Sequence, residues 1–282
     1  MRIGVTSASG RLGAAIVRQL IKLFDNDKVV AIARTPEKAK YLGVEIRKAD
    51  YNLKSQFDET LADIDTVLLV SGMNAPDKRI QQHRNVINAA KDVGVRKIVY
   101  TSIVGNKKGS TFSPIIASNR QTEEDIKSSG LNWSIGRNGL YIEPDVEYLD
   151  RYIKEGKIAN CAGQGSCAYT IREELGYAYS KMLLEDKHNG KIYNLVGEAI
   201  TQRQLTDYFN KTFKLKLVYE SLSVEEYQAN RTAELGEFLG KIIAGIYSSI
   251  RNGDLNVKSD FREAAGREHM KWADYFKFIG ED

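Results

Sequence analysis

The chain has 282 residues, 42% of them hydrophobic, and a formal net charge of +4. That is enough apolar material for one long domain or a domain with an elaborated end. Charges of both signs are mixed along the chain without a basic block, which argues against a nucleic-acid partner. No signal peptide opens the chain and no apolar run reaches the roughly 18 residues of a membrane span. We therefore expect a cytoplasmic protein with no membrane partner.

The first half alternates strands with helices. Strands are predicted over 2–6, 28–33, 45–48, 66–70, 97–102 and 133–136. Helices are predicted over 12–24, from 36 onward for a short stretch, and over 78–93 and 118–128. Parallel strands joined by helical crossovers form a doubly wound sheet, so we predict an α/β fold with a parallel Rossmann sheet.

The turn after the first strand has the layout of a dinucleotide phosphate-binding loop. Gly10 would let the backbone approach a pyrophosphate, Gly13 would let the helix pack closely on the sheet, and the helix N-terminus would offer free N–H groups. The pattern has glycine where Ser7 stands, and we expect Ser7 to make the turn with dihedral angles outside the glycine region. The alternative is an ordinary βα turn. The predicted phosphate contacts are Thr6, Ser9, Gly10, Arg11, Leu12 and Gly13.

The end of the second strand decides between the two nicotinamide cofactors. An NAD site usually has an acidic residue about 20 residues after the loop, and Arg34 occupies that place here. A guanidinium could grip a 2′-phosphate bidentately, with Arg11 and Lys38 adding charge nearby. We therefore predict NADPH, the alternative being that Arg34 is a surface residue at a strand end.

Residues at the carboxyl ends of the other strands should face the same crevice. Asp50 and Tyr51 are predicted to border the adenine, with an ordinary loop pair as the alternative. The remaining predicted cofactor contacts are Val70, Ser71, Gly72, Met73, Thr101 and Ser102.

The second half, 141–282, is predicted to be a smaller, mixed α/β substrate-binding region beside an NAD(P)-binding domain over 1–140, with some later strands returning to that domain. The predicted helices cover 146–155, 173–185, 202–213, 224–233 and 237–250, and the predicted strands cover 192–195 and 216–219. The helix over 237–250 has an apolar stripe at helical spacing. We favour a core-facing or dimer helix there, which is compatible with a wall or lid of a substrate pocket.

Cysteines and histidines do not form a metal-binding pattern. Cys161 and Cys167 are expected to be free thiols, and no metal site is predicted. His83 is expected to pack and hydrogen-bond at the sheet edge, whereas His188 and His269 lie in polar stretches and are expected at the surface.

Several segments occur in the order found in one known family. They are VTSASGRLG (5–13), AIARTPEKA (31–39), KADYN (48–52), HRNVINAAKDVGV (83–95), YTS (100–102) and RNGLY (137–141). With them the chain resembles the NmrA-like atypical short-chain dehydrogenases/reductases, and within these the bacterial NADPH:quinone oxidoreductases of type 2 and the triphenylmethane reductases. The resemblance covers nearly the whole chain and implies an NADPH-dependent reductase of electron-poor aromatic acceptors. The relatives have glycine at the position of Ser7 and histidine at that of Asn119.

The residues also bear on mechanism. Tyr-x-x-x-Lys, the acid–base pair of typical short-chain dehydrogenases and sugar epimerases, is absent near the fifth strand, since Val104 stands four residues after Tyr100. Hydride addition to a quinone depends more on holding the acceptor in position than on an acidic side chain of the protein. We predict that Asn119, Asn138 and Tyr141 bound the acceptor. An NADP-binding redox sensor without turnover stays open as the alternative, and a sugar-nucleotide epimerase is less favoured. A homodimer is also expected.

Overall fold

The computed structural model describes residues 1–281. Its strands are β1 Ile3–Val5, β2 Val29–Ala33, β3 Glu45–Lys48, β4 Thr66–Val70, β5 Lys97–Ile103, β6 Asn132–Asn138, β7 Leu140–Tyr141, β8 Lys157–Asn160, β9 Ser166–Thr170, β10 Lys191–Leu195, β11 Ala199–Thr201 and β12 Val218–Ser221. Its helices are α1 Arg11–Leu23, α2 Lys54–Thr60, α3 Pro76–Asp92, α4 Ser113–Lys127, α5 Glu143–Glu147, α6 Leu149–Glu155, α7 Arg172–Leu184, α8 Gln202–Phe213, α9 Val224–Leu235, α10 Glu237–Arg251, α11 Phe261–Ala265 and α12 Trp272–Glu281. A short 3₁₀ segment, Pro36–Leu42, follows β2.

Seven strands form the central sheet in the order β10-β6-β5-β4-β1-β2-β3. Every neighbouring pair in this sheet is parallel. The strand order changes direction between β1 and β4, which is the place where open α/β sheets bind ligands at the carboxyl ends of their strands. The predicted doubly wound sheet is therefore confirmed.

Apolar clusters cover both faces of this sheet, as its continuous hydrophobic strands require. On one face α1 and α7 pack through side chains such as Ile16, Leu20 and Tyr179. On the other face α2, α3 and α4 pack through side chains such as Phe57 and Val86. The two layers hold the strand ends rigidly, so that the loops at their carboxyl edge have fixed starting points.

The second half builds two small sheets, β11-β9-β7 and β12-β8, around an aromatic cluster that includes Phe209, Trp272 and Phe276. β10 leaves this half and extends the central sheet by pairing with β6, Lys191 opposite Ser134. The sequence did not predict the short elements α2, β7, β8, β9, β11, α11 and α12. The strands, α2 and α11 are too short to show a clear period, whereas α12 has an apolar stripe at helical spacing that was not predicted.

Some predicted boundaries were wrong for identifiable reasons. The helix predicted over 118–128 begins at Ser113, because Pro114 fits a first helical turn where no N–H bond is needed. The helix predicted over 146–155 is divided at Tyr148 into α5 and α6. His188 is fully buried and its Nδ1 lies 2.9 Å from the Tyr193 hydroxyl, so its predicted surface position was wrong. His269 is half-buried against Phe261, because α11 folds back over it.

Three further observations concern the thiols, the lengths of the helices and possible metal ligands. Cys161 and Cys167 are free, as predicted, and both are buried. None of the helices in residues 1–281 combines the length and the apolar character that crossing a membrane requires. Over the same residues, no group of three or more histidine, cysteine, aspartate or glutamate side chains is arranged to hold a metal ion.

Candidate active site

The turn between β1 and α1 is tight because the helix lies almost on the loop. Ser7 has φ of 51°, and its carbonyl oxygen accepts a hydrogen bond from the Gly10 amide at 2.9 Å. A Cβ on Gly13 would overlap this carbonyl and would stand 2.9 Å from the Cα of Ala8. The expectation that Ser7 avoids the glycine region was wrong, because the close approach of α1 forces a left-handed residue at that point.

This turn leaves an anion-binding surface open. Gly10 caps α1 with no side-chain hydrogen bond, and the first turn of the helix contains no acidic residue. The N–H groups of the first helical turn have no intrahelical acceptor and carry partial positive charge. Gly10 and Arg11 are exposed and Ser9 is half-buried. A pyrophosphate fits the free end of the helix, next to which Gly10 and Gly13 have no β-carbon. A dinucleotide requires such a site for its pyrophosphate.

Tyr51 joins the ends of β1 and β4. Its hydroxyl donates to the Val70 carbonyl at 2.7 Å and lies 2.6 Å from the Thr6 hydroxyl. Ser7 Oγ donates to the same hydroxyl at 3.1 Å. Burial raises the pKa of Tyr51 to about 12. The Tyr51 hydroxyl thus fixes the loop, and Asp50 beside it caps the Asn52 amide at 2.8 Å.

The basic residues predicted to select the cofactor are arranged differently from one another. Arg34 and Lys38 are exposed just after β2, and neither forms an ion pair with another of the residues 1–281. Arg11 is also exposed, but it pairs with Glu147 of α5. Two cations without an ion-pair partner among residues 1–281 therefore follow β2, and the third is held by a carboxylate.

A hydrogen-bonded cluster occupies the ends of β4 and β5. The Ser71 amide donates to Thr101 Oγ1 at 2.9 Å, and Ser71 Oγ donates to Asn119 Oδ1 at 3.0 Å. Tyr100 donates to the same Asn119 oxygen at 2.8 Å, while Asn119 Nδ2 donates to the Ile115 carbonyl at 2.8 Å. Both ends of Asn119 are thus engaged within the protein.

His83 forms hydrogen bonds next to this cluster at the edge of the sheet, as predicted. Its Nε2 accepts a hydrogen bond from the Gly72 amide at 2.9 Å, so its Nδ1 carries the proton and donates to Thr122 Oγ1 at 2.9 Å. Burial, reinforced by the charge of Arg79, lowers the pKa of His83 to about 3. A neutral imidazole therefore fixes the loop after β4, from which Met73 projects 90% exposed.

Ser102 belongs to a buried ion cluster. Its hydroxyl donates to Glu123 Oε1 at 2.6 Å, and Glu123 also receives Arg120 at 2.8 Å and Arg137 at 2.6 Å. Burial works to raise the pKa of Glu123, but Arg137 and Arg120 outweigh it and hold the pKa below its usual value. The cluster fixes α4 against β5 and β6.

The other two predicted acceptor residues come together after β6. Asn138 Nδ2 donates to the Tyr141 hydroxyl at 3.3 Å, and Tyr179 donates to Asn138 Oδ1 at 2.7 Å. The guanidinium of Arg172 lies 5.0 Å from the centre of the Tyr141 ring. Asn138 and Tyr141 thus form one group and Asn119 belongs to another, with no hydrogen bond between the two groups in residues 1–281.

The helix α10 packs on the segment before α4. Gly245 has no room for a β-carbon next to Phe112, and the Thr111 hydroxyl donates to the Lys241 carbonyl at 2.6 Å. At the start of the helix Phe238 and Leu239 are exposed. The later part of the predicted apolar stripe is therefore core-facing, and its first turn is open.

The sequence prediction did not include Arg79, which is 4% exposed in α3. Arg79 precedes His83 by four residues and shares the buried face of the helix with it. That spacing was the available signal, but a charged residue at such a position is ordinarily assigned to solvent.

These features define a dinucleotide-binding α/β protein whose strand order changes direction between β1 and β4. A family model described as NAD(P)H-binding matches residues 7–157, more than half of the chain. The chain belongs to this NAD(P)H-binding family.

Individual relatives agree with this assignment. The chain is 33% identical over 233 residues to quinone oxidoreductase 2 of Escherichia coli K12, covering 80% of each chain. It is 28% identical over 282 residues to an NmrA-like family domain-containing oxidoreductase of Aspergillus flavus, covering 95% of this chain and 91% of the relative. The resemblance to NmrA-like oxidoreductases is therefore confirmed.

Solved structures match along the whole chain. The NADPH-dependent quinone oxidoreductase of Escherichia coli in complex with NADPH has a TM-score of 0.90 at 29% identity, covering 98% of this chain and 99% of the other. Triphenylmethane reductase of Citrobacter sp. in complex with NADP(H) has a TM-score of 0.90 at 30% identity, covering 99% of both chains.

Proposed function

We propose that the protein is an NADPH-dependent reductase that transfers hydride to an electron-poor aromatic acceptor such as a quinone. The observation that carries this proposal is the open end of α1 together with the unpaired Arg34 at the neighbouring strand end. Both relatives with bound cofactor in the comparisons above are named as reductases or oxidoreductases using NADPH or NADP(H).

The cofactor would lie across the carboxyl edge of the sheet. Ser9 to Gly13 would hold the pyrophosphate through backbone N–H groups, and Arg34 with Lys38 would bind the 2′-phosphate. Bound NADPH supplies a hydride. The other residues proposed to border it are Thr6, Asp50, Tyr51, Val70, Ser71, Gly72, Met73, Thr101 and Ser102.

Asn119, Asn138 and Tyr141 are proposed to bound the acceptor. Burial raises the pKa of Tyr141, so its hydroxyl stays protonated and acts as a hydrogen-bonding group. Asn119 is held by Ser71 and Tyr100 and would present a fixed wall. Catalysis then depends on holding the acceptor at a near-attack distance, while water supplies the final proton.

We also propose that the protein works in the cytoplasm as a homodimer. Free, buried thiols are the usual state in a reducing compartment. Phe238 and Leu239 are 58% and 46% exposed at the open turn of α10, which is apolar surface that a second copy could cover.

The proposal is tested by steady-state oxidation of NADPH and NADH with 1,4-benzoquinone. We expect quinone-dependent turnover that prefers NADPH, and we expect Arg34→Ala to lose about tenfold of its preference for NADPH, as removal of a charge-assisted bond implies. Lys40→Ala, which removes an exposed cation from the same 3₁₀ segment, is the matched control. Turnover that is equal with both cofactors would contradict the role of Arg34.

A redox sensor without turnover is the second candidate. It is favoured by the engagement of both ends of Asn119 within the protein, which leaves at most one N–H of its amide for a ligand. Tight NADPH binding with no oxidation by any quinone or dye would establish the sensor and exclude the reductase.

A further inference from the structure

Arg79 is a buried arginine without a carboxylate partner. It is 4% exposed, and its Nη1 donates to Ser118 Oγ at 3.3 Å. Its Nε is buried with no hydrogen-bond partner. Among residues 1–281 no carboxylate forms an ion pair with this guanidinium.

Burying the charge of Arg79 without an ion-pair partner costs folding free energy, so a compensating group is expected. Burial lowers the pKa of Arg79, opposed only by Tyr100, yet a guanidinium remains charged throughout the physiological range. The buried carboxylate of Glu123, by contrast, has two partners, since Arg120 and Arg137 both pair with it. An isolated buried cation is destabilising unless another group supplies the compensating charge.

The surroundings of Arg79 indicate which group could supply the compensating negative charge. Its partner Ser118 directly precedes Asn119, whose Oδ1 receives Ser71 and Tyr100. The charge of Arg79 also acts on His83 and Tyr100, whose side chains bind the Gly72 amide and Asn119 Oδ1. The guanidinium therefore lies near the hydrogen-bonded cluster at the ends of β4 and β5, where the acceptor is proposed to bind. Only one of its three nitrogens has a hydrogen-bond partner among residues 1–281.

We propose that Arg79 binds the oxygen of the acceptor that becomes negatively charged during reduction. This inference rests on the proposed function. NADPH would give up a hydride, that is two electrons and one proton, and become NADP⁺. The quinone that accepts the hydride becomes an aromatic hydroquinone monoanion, with the negative charge on one oxygen. Arg79 donates to that oxygen, and a proton from water then completes the hydroquinone. A fixed cation aimed at developing charge lowers the barrier most in a partly desolvated site.

The same charge sets the choice of acceptor. A neutral quinone gains negative charge on reduction and is favoured by Arg79, and a quinone that is already an anion is bound more tightly still. A cationic triarylmethane dye loses its charge on reduction and is disfavoured. Arg79 is thus also a specificity-determining residue.

The test compares Arg79→Met and Arg79→Lys with Lys78→Met. Methionine keeps an apolar stem of similar length, and loss of an unpaired buried charge should not unfold the protein. Lys78 is the exposed neighbour on the same helix, so Lys78→Met removes the same formal charge outside the site. Thermal unfolding of each variant checks that the fold is intact.

We expect Arg79→Met to lose about a hundredfold in kcat with 1,4-benzoquinone, near the lower limit for removal of one oxyanion donor. Its KM for NADPH should stay within about twofold, and added guanidinium ion should restore part of the rate. With a cationic triarylmethane dye as acceptor the rate should stay equal or rise. Lys78→Met should behave like the wild type, and Arg79→Lys should lie between the two.

Equal losses with quinone and dye, or a loss as large in Lys78→Met, would overturn the role of Arg79 while leaving the reductase intact. A wild-type protein without turnover would instead refute the proposed function. In that case binding of the 2-hydroxy-1,4-naphthoquinone anion to the NADP⁺ complex is measured directly. Weaker binding in Arg79→Met than in Lys78→Met, with neutral 2-methyl-1,4-naphthoquinone unaffected, would support the anion site, and no difference would overturn it.

Discussion

At the residue scale, Ser7 shows how a close helix approach is accommodated without glycine. Its φ of 51° is in the left-handed region, and its hydroxyl donates to Tyr51. The hydrogen bond offsets part of the cost of this conformation, which is roughly 1–2 kcal/mol for a residue with a β-carbon. Ser7 therefore keeps the loop in the shape that a glycine would adopt more easily.

The left-handed conformation of Ser7 predicts a difference between two variants that both lose the hydroxyl. Ser7→Gly should be more stable than Ser7→Ala by about 1 kcal/mol, because only glycine removes the left-handed strain, although it also raises the entropy of the unfolded chain. The midpoints and slopes of urea unfolding measure the difference. A Ser7→Ala protein as stable as Ser7→Gly would show that Ser7 is not strained.

Single residues were also where the sequence was least informative. The motif positions Gly10, Gly13 and Arg34 could be placed because they follow a strand at fixed offsets. Arg79 and His188 could not, because Arg79 follows Asp77 and Lys78, and His188 stands between Lys187 and Asn189, where the local pattern indicates exposure to solvent. Burial of a polar residue is a property of the tertiary fold, which local patterns do not contain.

At the element scale, the side chain of His83 connects three elements through hydrogen bonds. It lies on α3, receives the Gly72 amide from the end of β4, and donates to Thr122 on α4. The neutral form makes both bonds, and protonation would turn the Nε2 acceptor into a donor facing an N–H group. The depressed pKa of about 3 is the consequence of this arrangement in a buried site.

We expect His83 to make the folded protein sensitive to acid. Its pKa is about 3 when folded against 6.5 unfolded, so below 6.5 the unfolded chain binds an extra proton and stability falls as the pH is lowered. Between about pH 7.5 and about pH 5 this should remove about 1–2 kcal/mol in the wild type. His83→Asn, measured by urea unfolding at both values, should lose that much less. An equal loss in both proteins would contradict the assignment.

Elements whose pattern has clear ends in the sequence were predicted well, whatever their length, and elements without a distinct period were not. β3, β4 and α8 were predicted with the observed bounds, because their patterns end at clear boundaries. β7 and β9 were missed, since pairs and runs of small residues such as Ser166–Thr170 have no distinct period. These strands exist because the second half packs them, which depends on contacts outside their own sequence.

At the scale of the whole molecule, the two halves are interlocked. α7 and β10 come from the second half of the chain. α7 completes the apolar cluster that it shares with α1 on one face of the central sheet, and β10 forms an edge of that sheet. We propose that the NAD(P)-binding domain is 1–140 together with these returning elements, and that the rest of 141–282 forms the acceptor-binding region. The return of β10 to the central sheet follows from the parallel order of strands and helices. The path of the chain between β6 and β10 does not follow from it.

A fragment containing residues 1–140 should therefore not fold cooperatively. It lacks the buried side chains of α7 and β10 and leaves β6 as an unpaired edge. Urea unfolding followed by circular dichroism should show a broad, shallow transition for the fragment and a sharp one for the full chain. A sharp transition in the fragment would refute the interlocked arrangement.

The most direct test of hydride transfer to a quinone is a single-turnover stopped-flow experiment. The purified protein is loaded with slightly less than one equivalent of NADPH and mixed with 1,4-benzoquinone while the nicotinamide absorbance is followed. We predict complete loss of the absorbance in one quinone-dependent phase that is much faster than with NADH and that slows when the transferred hydrogen is deuterium. Bound NADPH that stays unoxidised by the quinone would contradict the reductase and leave a cofactor-binding sensor.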